Sequence, residues 1–208
     1  MEPLDNKQYI IQHLNKESID SYFPSLNEIP QSPETVSLVG DLSKLQSIKA
    51  FITIVGSRKP TPYGISALEH IIKDLCGYPI CIVSGLAYGI DITAHKLALK
   101  YGIMTLAVPG SGLNPDVLYP SAHVLTAREI VHKGGFLLSE FSDTQKSAVW
   151  TFPQRNRIMA GMSELVICIE AEQKSGSMIT TKFGSDFNKQ YVLSRDQYSQ
   201  AFLMVQIS

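Results

Sequence analysis

The stretch FITIVGSR, residues 51–58, decides the fold. An apolar, β-branched run from Phe51 to Val55 ends at Gly56. From about Tyr63 to Leu75 apolar residues recur at helical spacing. This part of the chain therefore predicts a buried strand, a glycine turn and a helix.

The same unit recurs along the chain. Apolar runs predict strands at residues 80–83, 104–108, 136–138, 165–169 and 191–193, and helical spacing predicts helices at about residues 90–101, 124–132 and 178–187. Strands that alternate with helices form a mostly parallel sheet with helices on both faces. We therefore predict an α/β fold.

Length and composition indicate one main domain. The chain has 208 residues, 44% of them hydrophobic, which is enough for one good core. Residues 1–45 are polar, with four prolines, a short helical pattern near Tyr9 to Leu14 and a strand-like run from Val36 to Val39. We predict an N-terminal extension at residues 1–45 and the main domain at residues 46–208.

Charge and targeting features narrow the function classes. The formal net charge of -1 excludes a polybasic tail, so any nucleic-acid partner must contact a local patch. The chain shows no signal-peptide pattern, and its apolar runs are too short to cross a bilayer. The three cysteines lack CxxC spacing, and Cys81 and Cys168 fall in apolar runs, as reduced, buried thiols do. We predict a cytoplasmic protein with no membrane contact.

Four glycine-containing turns follow the predicted strands, where an open α/β sheet places its ligands. They are Gly56-Ser57-Arg58, the turn from Ser84 through Gly85 to Asp91, Pro109 to Gly112, and Lys174-Ser175-Gly176-Ser177. Glycine permits close backbone approach, and free amides at a helix N-terminus favour an anion. Any single turn is equally explained as a tight strand-to-helix connection, but four at one edge favour a binding groove.

The segment from Phe152 to Gly161 places an aromatic ring and two arginines close together. The guanidinium groups of Arg155 and Arg157 can bind phosphate oxygens, and the Phe152 ring can stack an unpaired base. The alternative is that the two arginines pair with acidic residues across the strand ends, such as Glu140 and Glu170.

Other polar and aromatic residues are open to two interpretations. Asp91 and His95 stand four apart on a predicted helix and could form a proton relay, but a structural role, with Asp91 stabilising the helix start, is favoured. Trp150 is as consistent with a second stacking platform as with a partly buried anchor. The histidines have no ligand-like spacing, so we predict no metal site.

Specific nucleotide fingerprints are missing. No GxGxxG opens a βαβ unit, and no GxxxxGK[ST] loop occurs. Ordinary dinucleotide or ATP binding is therefore disfavoured, and we predict no cofactor.

In combination, the motifs resemble the DprA family, also called Smf. The resemblance covers about residues 36–181 and rests on the order and spacing of Gly56-Ser57-Arg58, residues 84–91, Ala94-His95, residues 137–140 (LLSE), residues 152–157 (FPQRNR) and Ser175-Gly176-Ser177.

The resemblance implies a Rossmann-like domain that binds single-stranded DNA, protects incoming strands in natural transformation and helps to load the RecA recombinase. It implies a homodimer and no catalysis. Carried over by position, it makes Arg58 a phosphate ligand, Phe152 a stacking platform, and Arg155 and Arg157 members of the same positive pocket. The pocket would be lined by Gly56, Ser57, Gly85, Ser175, Gly176 and Ser177, to which we add Lys174 from its place beside the serine turn.

Two features depart from the family pattern. After Thr181 the family would continue with a regular helix, strand and Pro-Gly turn, but residues 182–208 are predicted to be irregular, which bears on the dimer and RecA contacts. We also expect no winged-helix domain, and the extension is too short for the N-terminal helical domain of some members.

The alternative function is an enzyme. Related Rossmann-like proteins of the LOG type hydrolyse nucleotide N-glycosidic bonds with a PGGxGTxxE motif, whose glutamate serves the chemistry. The comparable turn here, residues 175–181, is SGSMITT and has no glutamate, which argues against hydrolysis. A sensor that binds a small nucleotide in the same groove stays open as a third class.

Overall fold

One sheet organises the fold of this computed structural model, which describes residues 9–170, 176–187 and 189–194. Within those residues its eight strands are β1 (Ile11–Asn15), β2 (Thr35–Val39), β3 (Ala50–Gly56), β4 (Ile80–Ser84), β5 (Met104–Ala107), β6 (Phe136–Ser139), β7 (Leu165–Ile169) and β8 (Gln190–Ser194). The α-helices are α1 (Lys16–Tyr22), α2 (Pro62–Asp74), α3 (Ile90–Lys100), α4 (Val124–His132), α5 (Thr151–Met162) and α6 (Gly176–Asp186). Short 3-10 helices cover Pro24–Asn27, Leu42–Ser47 and Ser121–His123.

The strand order is β1-β2-β6-β5-β4-β3-β7-β8. The strands from β3 to β8 are parallel, whereas β2 pairs antiparallel with β6 and β1 antiparallel with β2. The chain builds outward from β3 through β4, β5 and β6, and then crosses to the other side of β3 to form β7. The predicted α/β fold with a mostly parallel sheet is confirmed.

Helices cover both faces of the central strands. On one face, Ile52 and Ile54 of β3 pack in a core with Leu68 of α2 and Ala94 of α3. On the other face, Val55 shares a core with Ile158 of α5. Alternating side chains of one strand therefore face two apolar layers, which explains why the strands are nearly continuous apolar runs.

The start of α2 is tied to the end of β7. Thr61 caps α2, its side chain accepting a hydrogen bond from the Gly64 amide at 3.2 Å, and Pro62 occupies the first helical turn. The carboxylate of Glu170 accepts hydrogen bonds from both the amide and the hydroxyl of Thr61. Glu170 therefore joins two neighbouring strand ends.

The helix predicted near Tyr9 to Leu14 is wrong, because Ile11–Asn15 forms β1. Its register pairs Ile11 with Val39 and Asn15 with Thr35, so β2 supplies the hydrogen-bond partners of this segment. Long-range pairing outweighs a short local helical pattern. Part of the predicted N-terminal extension thus contributes two strands to the sheet.

The irregular structure predicted after Thr181 is wrong as far as Ser194. Helix α6 continues to Asp186, and β8 pairs in parallel with β7. The free edge of β7 supplies the hydrogen-bond partners that make this segment a strand. Residues 195–208 lie outside the described residues. None of the helices in the described parts of the chain has the length and apolar composition needed to cross a membrane.

Candidate functional site

The polar turns meet at one edge of the sheet, beside its central strand. Because β3, β4, β5 and β7 are parallel neighbours, their carboxyl ends lie at the same edge. The direction of winding reverses there, with β4 on one side of β3 and β7 on the other. Open α/β sheets bind ligands in the crevice at such a switch point.

A pocket of about 350 Å³ occupies this crevice, between the end of β3 and the starts of α3, α5 and α6. Seven of the eleven predicted site residues line it: Gly56, Ser57, Arg58, Phe152, Arg155, Gly176 and Ser177. Gly85 lines a small adjoining hollow, and Arg157 lines neither. Lys174 and Ser175 lie outside the described residues.

The turn after β3 presents hydroxyl and cationic groups to the pocket. The backbone of Ser57 is held on both sides, since its N–H donates to the Ile169 carbonyl and its carbonyl accepts from Ile90, each at 3.0 Å. Arg58 and Lys59 are exposed, and neither forms an ion pair within the described residues. The turn is therefore rigid in its backbone and carries cations that are free to bind an anion.

Two of the predicted glycines are required by close packing. A Cβ added at Gly56 would lie 2.6 Å from the Cγ1 of Ile90. At Gly85 it would lie 2.6 Å from both the Arg155 Cζ and an Asp91 carboxylate oxygen. Both positions let neighbouring segments approach more closely than a side chain would allow.

Phe152 stands in the first turn of α5 and is half-buried. Its ring packs beside Gly110, where an added Cβ would lie 2.6 Å from a ring carbon. The Arg58 guanidinium carbon lies 5.9 Å from the ring centroid, and the Tyr119 ring centroid lies 5.8 Å from it. The structure thus brings together the aromatic ring and the cation that the sequence placed 94 positions apart.

Arg155 lines the pocket but is almost fully buried, and its guanidinium bonds to the protein itself. It donates to the carbonyls of Gly85, at 2.7 Å, and Val108, and to the side chain of Asn156 at 2.9 Å. Burial lowers the pKa of Arg155 to about 10, although nearby Asp91 opposes this shift. Arg155 therefore ties α5 to the turns after β4 and β5, and only its remaining surface faces a ligand.

Asp91 is the one carboxylate among the described residues that line the pocket. One of its oxygens accepts the Gly85 amide at 3.1 Å. Burial raises the pKa of Asp91, while the charge of Arg155 opposes the shift. The carboxylate is thereby fixed at the start of α3, as expected for its structural role.

Arg157 does not join the positive pocket. Its guanidinium pairs with the carboxylate of Glu140, and the two side chains are each only 8% exposed. The alternative interpretation is therefore correct for Arg157 and Glu140. It is wrong for Glu170, which bonds to Thr61 instead.

The start of α6 closes the far side of the pocket. Ser177 donates its hydroxyl hydrogen to the Gly56 carbonyl at 2.7 Å, and Asn156 donates to the Gly176 carbonyl at 3.2 Å. These bonds hold the first amides of α6 beside the turn after β3. A helix N-terminus in this place favours a negatively charged ligand.

His95 belongs to the core. It is fully buried, and its Nδ1 lies 2.7 Å from the Thr105 hydroxyl oxygen, which donates in turn to the Ile82 carbonyl. Burial lowers the pKa of His95 to about 3, so the ring is neutral at physiological pH. No hydrogen bond joins it to Asp91 in the described structure, which supports the structural interpretation of the pair. No group of three His, Cys, Asp or Glu in the described residues is placed to hold a metal ion.

Several residues at this edge carry no role in the sequence analysis. Lys59, Asn156 and Thr180 line the pocket, and Tyr88 and Tyr119 line the adjoining hollow. Lys59 and Tyr88 stand in or beside predicted turns, so their position was visible in the sequence. Tyr119 stands in a loop that reaches Phe152 only through tertiary packing.

The chain is similar to known proteins over most of its length. Residues 15–202 match the family described as DNA recombination-mediator protein A. The DNA processing protein DprA of Streptococcus pneumoniae is 38% identical over 177 residues, which cover 81% of this chain and 61% of that protein. Protein Smf of Synechocystis is 38% identical over 164 residues, covering 78% of this chain and 40% of that protein. The chain thus spans about half the length of these relatives.

Two solved structures share the fold. The X-ray structure of DprA from Streptococcus pneumoniae has a TM-score of 0.81 and 33% identity, covering 93% of this chain and 66% of that one. DNA processing protein A from Helicobacter pylori, whose structure was analysed for its single-stranded DNA binding mode, has a TM-score of 0.78 and 26% identity, covering 92% and 84%. The family model, the relatives and the shared fold agree, and this chain belongs to the DNA recombination-mediator protein A family, which includes DprA and Smf.

Proposed function

We propose that this protein binds single-stranded DNA with little sequence preference. The observation that carries the proposal is the pairing of the Phe152 ring with the Arg58 guanidinium, 5.9 Å apart, in the crevice at the switch point of the sheet. Cations that follow a phosphate backbone, combined with a ring that stacks bases, are how proteins hold unpaired strands. The family of the chain supports the same partner.

The burial of Phe152 favours a single strand over a duplex. The ring is half-buried within the pocket, so a base must leave its neighbours in the stack to reach it. Unpaired bases do this at a lower cost than paired ones.

The charged and polar residues at the pocket take different roles in this proposal. Ser57 and Arg58, together with Lys59, bind one phosphate, and the first amides of α6 at Gly176 and Ser177 favour the next. Lys174 and Ser175, which precede α6 in the sequence, are proposed to add to the same anion site. Arg155 shapes the pocket with Asp91, whereas Arg157 acts only by supporting α5.

A salt titration tests the proposal. The association constant for a fluorescent oligothymidylate is measured by anisotropy at several salt concentrations. Each phosphate contact on a single strand adds about 0.7 to the slope of log K against log salt, so Arg58→Ala should flatten the slope by about that amount. Arg128→Ala, on α4 and away from the pocket, is the matched control and should leave the slope unchanged. An unchanged slope in Arg58→Ala would remove this residue from the DNA site.

The second candidate is a small-nucleotide site, including hydrolysis of the LOG type. Its support is the buried carboxylate of Asp91, which lines a pocket large enough for a mononucleotide. We propose binding without hydrolysis, because Asp91 is held by a backbone amide beside Arg155. Incubation with AMP, followed by chromatography for free base, should yield no product. Base release that disappears in Asp91→Asn would establish the enzyme instead.

The wider roles of the relatives are also proposals for this chain, since it spans only part of their length. We propose that it protects incoming strands in the cytoplasm, acts as a homodimer and helps to load RecA, in keeping with a recombination-mediator family. The rate of RecA assembly on single-stranded DNA, with and without the protein, tests the last role. Light scattering of the protein alone tests the second.

A further inference from the structure

Two exposed tyrosines lie beside the pocket without a role in it. Tyr88 is 49% exposed and Tyr119 is 43% exposed. Both line the small hollow next to the pocket, and Arg58, Phe152 and Arg155 line the hollow as well. The hollow and the pocket therefore share a wall and form one continuous surface.

The three aromatic residues surround one hollow at the carboxyl edge of the sheet. Tyr88 comes after β4, Tyr119 after β5 and Phe152 after β6, while Ser57 and Arg58 come after β3. Their contacts bring them together regardless of strand order, because the Phe152 ring lies 5.9 Å from the Arg58 guanidinium carbon and 5.8 Å from the Tyr119 ring, and Tyr88 lines the same hollow. A nucleotide chain that crosses the hollow from Arg58 would meet Phe152 and then Tyr119, with Tyr88 on the wall of the same hollow.

Contacts with neighbouring residues hold both tyrosines in place. The Tyr88 ring meets the His123 ring edge-on, with centroids 4.7 Å apart, and His123 is fixed by a hydrogen bond to the Leu86 carbonyl at 2.6 Å. The Tyr119 amide donates a hydrogen bond to the Ser111 hydroxyl at 3.2 Å. The Tyr119 ring packs against the Phe152 ring with an angle of 58° between the ring planes. Large rings that are fixed yet about half exposed suit stacking against a flat partner.

We propose that Tyr88 and Tyr119 are stacking platforms that extend the strand-binding site from the pocket across the adjoining hollow. The inference rests on the proposed function and assigns it a path and a length. The step from the Arg58 guanidinium to the Phe152 ring is 5.9 Å and the step from there to the Tyr119 ring is 5.8 Å, so this path is at most about 12 Å long. At a rise of about 3.4 Å per nucleotide, a strand on this path holds about three to four nucleotides.

Oligothymidylates of two, four, six and eight nucleotides test this path by competition against a labelled eight-mer. Wild-type affinity should rise steeply up to about four nucleotides and then level off. The double variant Tyr88→Ala/Tyr119→Ala should lose at least about fivefold per ring with the longer strands. It should bind the two-mer as the wild type does. Tyr88→Phe/Tyr119→Phe keeps both rings and should restore the length dependence.

Tyr78→Ala is the matched control. Tyr78 is 53% exposed but precedes β4, so it lies at the opposite edge of the sheet. It should leave all affinities unchanged. A wild-type length dependence in the double alanine variant, with binding still lost in Arg58→Ala, would overturn the tyrosine path alone. Unchanged binding in both variants would overturn the proposed function as well.

Discussion

Arg58 follows β3 and Arg157 lies in α5, and the surroundings of these two arginines are opposite. Arg58 is exposed beside the pocket, without an ion pair in the described residues. Arg157 is 8% exposed in its side chain and is paired with Glu140. An exposed guanidinium can exchange water for a phosphate, whereas a buried one would have to give up the partner that offsets its desolvation. The same residue type is therefore accessible to a ligand in one place and held by the fold in the other.

The contrast extends to two groups of residues. The outer residues, Ser57, Arg58, Lys59 and Phe152, are exposed or half-buried and line the pocket. The inner residues, His95, Arg155 and Arg157, are buried and bonded to other protein groups. Substitutions of outer residues should change DNA affinity more than stability. Substitutions of inner residues should lower stability, with or without a change in affinity.

Arg157→Ala should have the largest effect, and that effect should be a loss of stability. It leaves the Glu140 carboxylate buried without its partner, which costs about 3–5 kcal/mol in the free energy of unfolding. Urea denaturation, monitored by circular dichroism, measures this loss. The double variant Glu140→Leu/Arg157→Met should unfold close to the wild type, because it removes both charges. A loss below about 1 kcal/mol in the single variant would contradict the assignment of Arg157 to the inner group.

The pH dependence of stability should show the effect of the lowered pKa of His95. Its pKa is about 3 in the folded protein and 6.5 ordinarily, so the fold favours the neutral ring. Its stabilising contribution is complete above pH 6.5 and is lost as the pH falls towards 3. Between pH 6.5 and 4.5 the wild type should lose about 2 kcal/mol relative to His95→Gln, at up to about 1.4 kcal/mol per pH unit. Parallel unfolding curves for the two proteins would show that His95 does not titrate in this way.

Phe152→Ala should act mainly on affinity. Losing a stacked base should weaken oligothymidylate binding by about 1–3 kcal/mol, measured by anisotropy at fixed salt. Phe152→Tyr keeps the ring and should bind as the wild type does. If the alanine variant keeps full affinity but unfolds more easily, Phe152 belongs with the inner residues.

Arg58→Ala should have the smallest effect on folding. The side chain is exposed and has no ion pair within the described residues, so the free energy of unfolding should change by less than about 0.5 kcal/mol. The measurement is the urea series used for Arg157→Ala. A larger loss would mean that the Phe152 contact stabilises the fold and would weaken the contrast between the two arginines.

The sequence predicted the central strands well because their pattern is local. Runs such as Phe51 to Val55 are apolar on both faces, and each ends at a turn that appears in the sequence. The prediction failed for β1, whose pairing with β2 is long-range, and no helix was predicted at α5. Nine of the twelve residues of α5 are buried, so no alternation of apolar and solvent-facing residues marks it as a helix.

Local sequence was enough to predict the family, the mostly parallel sheet and the positions of the glycine turns. Strands, turns and motifs depend on neighbouring residues. The burial of individual side chains could not be predicted from local sequence, because it depends on contacts between distant segments. Arg155 reaches the carbonyls of Gly85 and Val108, 70 and 47 positions away, and Arg157 finds Glu140. Only this packing separates the cation that is free for a phosphate, Arg58, from the two that hold the pocket together.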